Sequence, residues 1–393
     1  MTFKLNNLKS ISFQCLDNQF SCDDGSCISL DQRCDKIMDC LDESDEATCD
    51  LITYNSMNYK KSLPPISRNE QTEIQLSLNI LAIDNINEQD TMFKATINVN
   101  LYWNDPRLAF QNLKESQNFL DKEAFGNIWL PPLTFSNTDS NAQLLDENSL
   151  AIQILKQGNP TMSKTSSLTE DAIFSGKENS LNLQGIYTLD FHCSMKLLDY
   201  PFDTQECSID LELPMNLRNF TKLVAKNLTY EGPEQLLQFK VSEPYSVSNE
   251  DGSILRSSFN LYRNPAYHLI NTYMPSFAIL MMGLLTLFLD EKMHFTTTIM
   301  LILTDLICLN TLFQTSLSDM PKTAYMKFID YWAIFCLAIA CKIFITLIVW
   351  EYFSQKKGKT WKGFKNSTRF GVPMVFFVGT IIFSMVALAK QRG

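Results

Sequence analysis

The chain has 393 residues and a formal net charge of −10. That length predicts two or three folding units. The acidic balance excludes nucleic acid as a partner, because phosphate binding needs a basic face. Eleven cysteines are unevenly spread: six between Cys15 and Cys49, then Cys193 and Cys207, then Cys308, Cys336 and Cys341 in apolar segments. Cysteines that dense in a short stretch indicate disulfides and an oxidising compartment, whereas the last three read as buried thiols. The start, MTFKLNNLKSISFQC, has no apolar h-region. A secreted front end needs one, so the chain is expected to be a mature or engineered form.

Residues 15–49 form the first unit. A module of about 35 residues buries too little apolar surface to fold on a core, so disulfides and a metal must stabilise it. Asp35, Asp39, Asp45 and Glu46 follow a tight turn. Hard oxygen ligands in that number suit Ca²⁺, and the bland alternative is an acidic surface loop. The cysteine order, Phe20-x-Cys22, Cys27-Ile28 and the run C-D-x-x-x-D-C-x-D-x-S-D-E from Cys34 to Glu46 resemble a low-density-lipoprotein receptor class A repeat. The resemblance implies that the four carboxylates hold Ca²⁺ together with the backbone carbonyls of Gln32 and Ile37. It also implies disulfides Cys15–Cys27, Cys22–Cys40 and Cys34–Cys49.

Residues 50–69, with Pro64-Pro65, read as a linker. From 70 to 265 short runs such as TEIQLSLNILAI, FKATINVNLYW and CSIDLEL alternate apolar and polar residues. Period-two alternation with aromatic and β-branched residues predicts an extracellular β-sandwich of one domain. The polar segment 157–185 reads as a long surface loop. Asn219 (N-F-T) and Asn227 (N-L-T) are glycosylation acceptors there, whereas Asn366 (N-S-T) would be cytoplasmic and silent.

Four apolar runs follow, roughly 267–289, 299–317, 328–350 and 370–389. Each is long enough to cross about 30 Å of hydrocarbon as a helix, which predicts a four-helix transmembrane domain over 266–390. The loop 353–369 holds five lysines and one arginine and no acid. The positive-inside rule makes that loop cytoplasmic and both termini extracellular, in a multi-pass protein of the plasma membrane.

The loop CSMKLLDYPFDTQEC closes between Cys193 and Cys207, with Tyr200-Pro201-Phe202-Asp203 inside it. Together with WNDPRL (Trp103 to Leu108), IWLPPLTF (Ile128 to Phe135), LYRNPAYHLINTYMPS with Arg263 and Pro275, and MPKTAYMKFIDYW (Met320 to Trp332), it resembles the pentameric Cys-loop ligand-gated channels. The last motif resembles the glycine- and GABA-type anionic branch. HFTTTIM is similar to the proton- and zinc-sensitive chloride channels of arthropods. Pro132 departs from the pattern, which usually has Asp there. The resemblance covers roughly 65–390. It implies a Cys193–Cys207 disulfide, a homo- or hetero-pentamer, and a small-molecule or ionic agonist bound between sandwiches. It also implies a coupling role for Phe202, Asp203 and Arg263. The front module is an addition to that plan, suited either to binding an extracellular protein partner or to shaping the channel's outer rim.

The second span is expected to line the pore. Thr297, Thr304, Cys308, Thr311, Thr315 and Ser318 recur at helical spacing as one wettable stripe, and Met300 and Ile307 join them as pore-lining candidates. The alternative is that the threonines bond back to their own helix. Ile307, or Leu306, falls where the family places a gate that closes by dewetting. One alignment starts the helix at Glu291-Lys292-Met293 and resembles a cation-channel motif, with Leu301 at the gate. The other starts near Thr297, fits the chain length better and favours chloride. Asp305 inside the span is costly there: it either faces the lumen, where it would attract cations, or, as preferred, pairs with Lys342 on the third span. At the agonist site the resemblance puts Ser136, Pro214 and the loop 245–252 on the principal side, with Tyr245 the best aromatic. Asn98 and Asn100 lie on the complementary side, Asn100 where amino-acid-gated relatives carry an arginine. Glu212, Glu250 and Asp251 either favour a cation, proton or metal or are solvated acids. The competing readings are a cation-selective channel of the same fold and a non-conducting surface receptor. A tethered hydrolase is disfavoured, because the chain has three histidines and neither a Gly-x-Ser-x-Gly nor a His-Glu-x-x-His motif.

Overall fold

The computed structural model describes residues 15–16, 19–47, 49–65, 71–116, 118–138, 150–164, 170–249, 252–289, 295–318, 320–354 and 359–392. Glu250, Asp251, Glu291 and Lys292 lie outside them.

Alternation builds the sandwich. In the strand Met92–Trp103, Phe93, Ala95, Ile97, Val99, Leu101 and Trp103 are buried, while the residues between them face outward. It pairs with Thr72–Asn87 on one side and Ser180–His192 on the other. Ala151–Leu155 extends one edge of this five-stranded sheet, and Thr221–Tyr230 runs parallel at the other. The facing sheet places Phe239–Val241, Ile254–Arg263, Thr204–Glu212 and Thr134–Phe135 in order, with Tyr245–Ser248 also against Ile254–Arg263. One hydrophobic core lies between the sheets. Trp103 and Trp129, the tryptophans of two sequence motifs, meet edge to face in it at 6.3 Å.

A third sheet corrects two expectations. It joins Ile52–Tyr54, Leu108–Gln111, Glu170–Ser175 and Thr161–Lys164. The segment read as a linker is therefore docked, and the polar loop contains a hairpin. The docking has a plain cause. Asp105 takes two bonds from the Arg107 guanidinium, at 2.8 and 2.7 Å, and a third from its backbone N–H at 3.0 Å, and Arg107 caps the Tyr59 ring at 4.5 Å and reaches the Leu63 carbonyl at 2.9 Å. The Tyr59 hydroxyl accepts from the Trp129 N–H at 2.8 Å and donates to Asp105 at 3.3 Å. Burial, with the neighbouring Asp105 carboxylate, pushes the Tyr59 phenol up to about 12. A Tyr59→Phe protein leaves a buried N–H unpaired, a loss of about 1–3 kcal/mol. Its apparent melting temperature in detergent falls, and an unchanged melt contradicts this account of the docking.

The front module has the small core its length dictates. It holds a hairpin, Gln19–Ser21 with Cys27–Ser29, and the buried Phe20, Cys22 and Cys40, with Ile28 and Leu30 packed against them. Disulfides Cys15–Cys27, Cys22–Cys40 and Cys34–Cys49 hold it closed.

Among the described residues four helices are long and apolar enough to cross a membrane: Ala266–Thr286, Phe295–Ser316, Phe328–Phe353 and Gly363–Lys390. Pro275 lacks an N–H and cannot continue the helical ladder. The first helix accordingly passes through a π turn at Leu269–Tyr273 just before it. Trp332 on the third helix donates to Ser276 Oγ on the first at 2.9 Å. The basic loop 353–369 is shorter than expected: the third helix runs to Ser354 and the fourth begins at Lys359. Its lysine-rich sequence contains no proline to stop a helix.

Candidate functional site

In the front module the acidic loop is turned by three residues with positive φ, Cys34 (60°), Lys36 (71°) and Glu43 (60°). Backbone amides then aim the carboxylates. Ile37 N–H donates to Asp35 at 2.8 Å, Lys36 N–H to Glu46 at 3.0 Å and Asp39 N–H to Asp45 Oδ2 at 2.7 Å. Gln32 Nε2 donates to Asp39 at 3.2 Å. Asp45 is fully buried, and its Oδ1 has no partner. No three acids stand close enough to form a complete site as they are, among the described residues. The unpartnered, buried Oδ1 nevertheless fits a hard cation, which would satisfy an otherwise uncompensated carboxylate.

The candidate agonist residues fall on two separate surfaces. Asn98 and Asn100 lie on the outward face of the five-stranded sheet. Asn100 is flanked by Ser77 and Gln184, and Asn98 by Asn79 and Ile186. The buried Oδ1 atoms of Asn79, Asn98 and Asn182 have no partner. Ser136, Glu212, Pro214 and Tyr245 belong to the other sheet and its connections. Ser136 N–H donates to the Asp210 carbonyl at 3.0 Å, and the Pro214 carbonyl accepts from Leu217 at 2.9 Å. Glu212 is paired with Arg218, so its charge is compensated. Tyr245 is exposed and donates to Glu206 at 2.7 Å, which raises its pKa above the usual phenol value. The core separates the two sets, so one chain does not bring them together.

At the membrane end of the sandwich, charge and aromatic groups converge. Arg263 Nε donates to Asp203 Oδ1 at 2.7 Å and Nη2 to Oδ2 at 3.1 Å, and Nη1 also reaches Glu88. The guanidinium lies 4.6 Å from the centre of the Tyr200 ring and 4.5 Å from that of Phe239. Burial opposes its charge, but Asp203 and Glu88 outweigh burial and raise its pKa above the ordinary value. Phe202 packs on Phe328 at 5.8 Å, and the Tyr200 hydroxyl and His268 Nε2 share a 2.6 Å hydrogen bond. The disulfide loop Cys193–Cys207 seats directly on the chain entering the third helix. The Leu198 carbonyl accepts from Phe328 at 2.9 Å, the Tyr200 carbonyl from Ile329 at 3.2 Å, and Leu197 N–H donates to Tyr325 Oη at 3.1 Å. Glu88, His268 and the Lys390–Asp199 ion pair are additions that the sequence reading missed.

On the second helix Thr297, Met300, Thr304, Ile307, Cys308, Thr311 and Thr315 are all exposed, while Ile302, Leu309 and Phe313 are buried against the bundle. Thr304 and Thr311 also bond back to the Met300 and Ile307 carbonyls, each at 2.8 Å. A wettable stripe and back-bonded hydroxyls thus coexist. Cys308 and Cys341 are exposed and only Cys336 is buried, against the expectation of three buried thiols. The first lies on the stripe and the second on an outer helix face. The expected Asp305–Lys342 pair does not form. Lys342 points out of the bundle, and Asp305 turns to the first helix, where a Cβ on Gly283 would stand 3.0 Å from Asp305 Oδ2. The absent side chain makes the room, and that oxygen has no partner.

Residues 48–170 match the family model of the neurotransmitter-gated ion-channel ligand binding domain, and residues 13–49 that of the low-density lipoprotein receptor domain class A. A gamma-aminobutyric acid receptor subunit beta of Caenorhabditis elegans is 24% identical over 326 residues, 79% of this chain and 54% of its own length. A gamma-aminobutyric acid receptor subunit beta of Lymnaea stagnalis is 24% identical over 337 residues, 80% of this chain and 62% of its own length. The chain therefore spans between half and two thirds of the length of these relatives.

Proposed function

We propose that this chain, which carries a neurotransmitter-gated ion-channel ligand-binding domain behind a low-density lipoprotein receptor class A module, is one subunit of a pentameric Cys-loop channel that passes chloride when an agonist binds between sandwiches. One observation carries the agonist site. The candidate residues lie on outward faces of two different sheets, so only two neighbouring subunits can bring Asn98 and Asn100 of one against Ser136, Glu212, Pro214 and Tyr245 of the other. The bound ligand then bridges the subunits, and Arg263 with Asp203 and Glu88 links that movement to the helices.

Gamma-aminobutyric acid, named in the relatives, is the first agonist to try. Asn100 offers no positive charge to a carboxylate, however, so the face suits ligands recognised by amide hydrogen bonds at least as well. Protons, zinc and amines complete the screen. Agonist-evoked current in oocytes expressing the chain, alone or with a beta-type relative, supports the reading. Pentamers at the surface that pass no current under any of these ligands contradict it.

The exposed stripe of the second helix supports the pore. Asp305 is turned toward Gly283 and the stripe itself holds no acid, and this favours anions. Ile307 forms the gate, so Ile307→Ser lets water through the constriction and raises current without agonist. A silent Ile307→Ser channel that still opens normally moves the gate elsewhere. The module binds Ca²⁺ through Asp35, Asp39, Asp45 and Glu46 with the Gln32 and Ile37 carbonyls. It displays Ile37, Met38 and Leu41, all exposed, to an extracellular protein partner. Both termini lie outside the cell in this arrangement.

A further inference from the structure

The acceptor Asn227-Leu228-Thr229 does not lie in a loop. It sits within Thr221–Tyr230, the edge strand of the five-stranded sheet. Strict alternation would turn residue 227 toward the core, as it does Leu223 and Ala225 beside Ile74 and Leu76. A register shift between Ala225 and Asn227 adds one residue and reverses the phase. Leu228 consequently packs on the core, while Asn227 is exposed on the outward face. There Asn227 pairs with Ser77, which pairs with Asn100, and Thr229 pairs with Asn79, which pairs with Asn98. Two strand spacings put Asn227 about 10 Å from Asn100 along one cross-strand row.

We propose that an N-glycan on Asn227 forms the outer wall of the cleft over Asn98 and Asn100, and restricts that cleft to ligands the size of an ion or an amino acid, excluding peptides. The inference rests on the reading of this face as the complementary half of the agonist site. The glycan leaves from the sheet edge, so it borders the row without covering it. A sugar branch reaching over two strands narrows the approach to Asn100 from solvent, while small molecules still pass.

The test is the accessibility of a thiol placed in the row. Full-length Asn100→Cys protein in intact cells is treated with a small impermeant thiol reagent and with a polymer-linked maleimide, and modification at position 100 is followed by mass spectrometry. The small reagent reacts at the same rate with or without the glycan. The bulky reagent reacts severalfold faster once Asn227→Gln or Thr229→Ala removes the acceptor, and Asn219→Gln leaves it unchanged. Two different routes to the same loss guard against a folding defect in either variant. An unmodified Asn227 in the parent protein, or a bulky-reagent rate indifferent to both variants, overturns the proposal. Modification needs no current. If the introduced thiol is shielded by the glycan, yet labelling it leaves agonist responses intact, the agonist reading falls and the glycan wall stands.

Discussion

Arg263→Gln protein reaches the cell surface but loses its agonist-evoked current. The side chains of Arg263 and Asp203 are 1% and 2% exposed, and that of Glu88 is 11% exposed. Removing the cation leaves two carboxylates facing each other away from water, and breaking a buried pair from one side costs about 3–5 kcal/mol. The pair joins the last strand of the sandwich to the disulfide loop and to the turn after Asn87. Its loss uncouples these three segments from the helices below. Arg263→Lys keeps the charge but not the two-pronged contact with Asp203, so it gates weakly. Asp203→Asn combined with Arg263→Gln does less damage than the two single losses added, because neither charge is then stranded. Surface biotinylation beside current recording separates gating from expression. Normal responses from the Arg263→Gln channel would remove the pair from the coupling path.

The second large effect is confined to the front module. Chelating Ca²⁺, or replacing Asp45 with Asn, makes residues 15–49 sensitive to protease while the sandwich stays resistant. Asp45 is the most buried acid of the loop, and its Oδ1 has no protein partner, so a bound cation would satisfy it. Extracellular modules bind Ca²⁺ at about 10⁻⁴–10⁻³ M. Millimolar Ca²⁺ then contributes about 0.4–1.4 kcal/mol to the folded module. The three disulfides keep the chain crosslinked, so the readout is local proteolysis or hydrogen exchange, not release of the module. Equal protection with and without chelator contradicts the calcium assignment.

What the sequence made legible follows from how local each signal was. Cysteine order, the Cys34–Glu46 acidic run and the motifs around Trp103, Trp129 and Arg263 are short patterns, and they point to the module, the sandwich and the likeness to ligand-gated channels. Alternation in Met92–Trp103 set which residues face outward, and so put Asn98 and Asn100 on one surface. Contacts made by one residue across long sequence distances left no such pattern. Tyr59 docks the supposed linker through Trp129 and Asp105, yet an isolated tyrosine in a polar stretch carries no sign of that. Glu88 looks like any turn acid until Arg263 arrives beside it. Sequence alone pairs Asp305 with Lys342, because both are stranded charges. The deciding feature was the missing side chain at Gly283, a matter of space and not of charge. The bulge that turns Asn227 outward is likewise set by pairing with the neighbouring strand.

The central claim is that agonist binding opens a chloride path along the second helix. Its most direct test is the reversal potential of agonist-evoked current, measured as external chloride is replaced by a large anion and then sodium by a large cation. The account predicts that the reversal potential follows the chloride gradient and ignores sodium, because Asp305 Oδ2 is turned to Gly283 on the first helix and the stripe of Thr297, Thr304, Cys308 and Thr311 itself holds no acid. A reversal potential that follows sodium and ignores chloride would contradict it, and would put an acidic side chain on the pore axis.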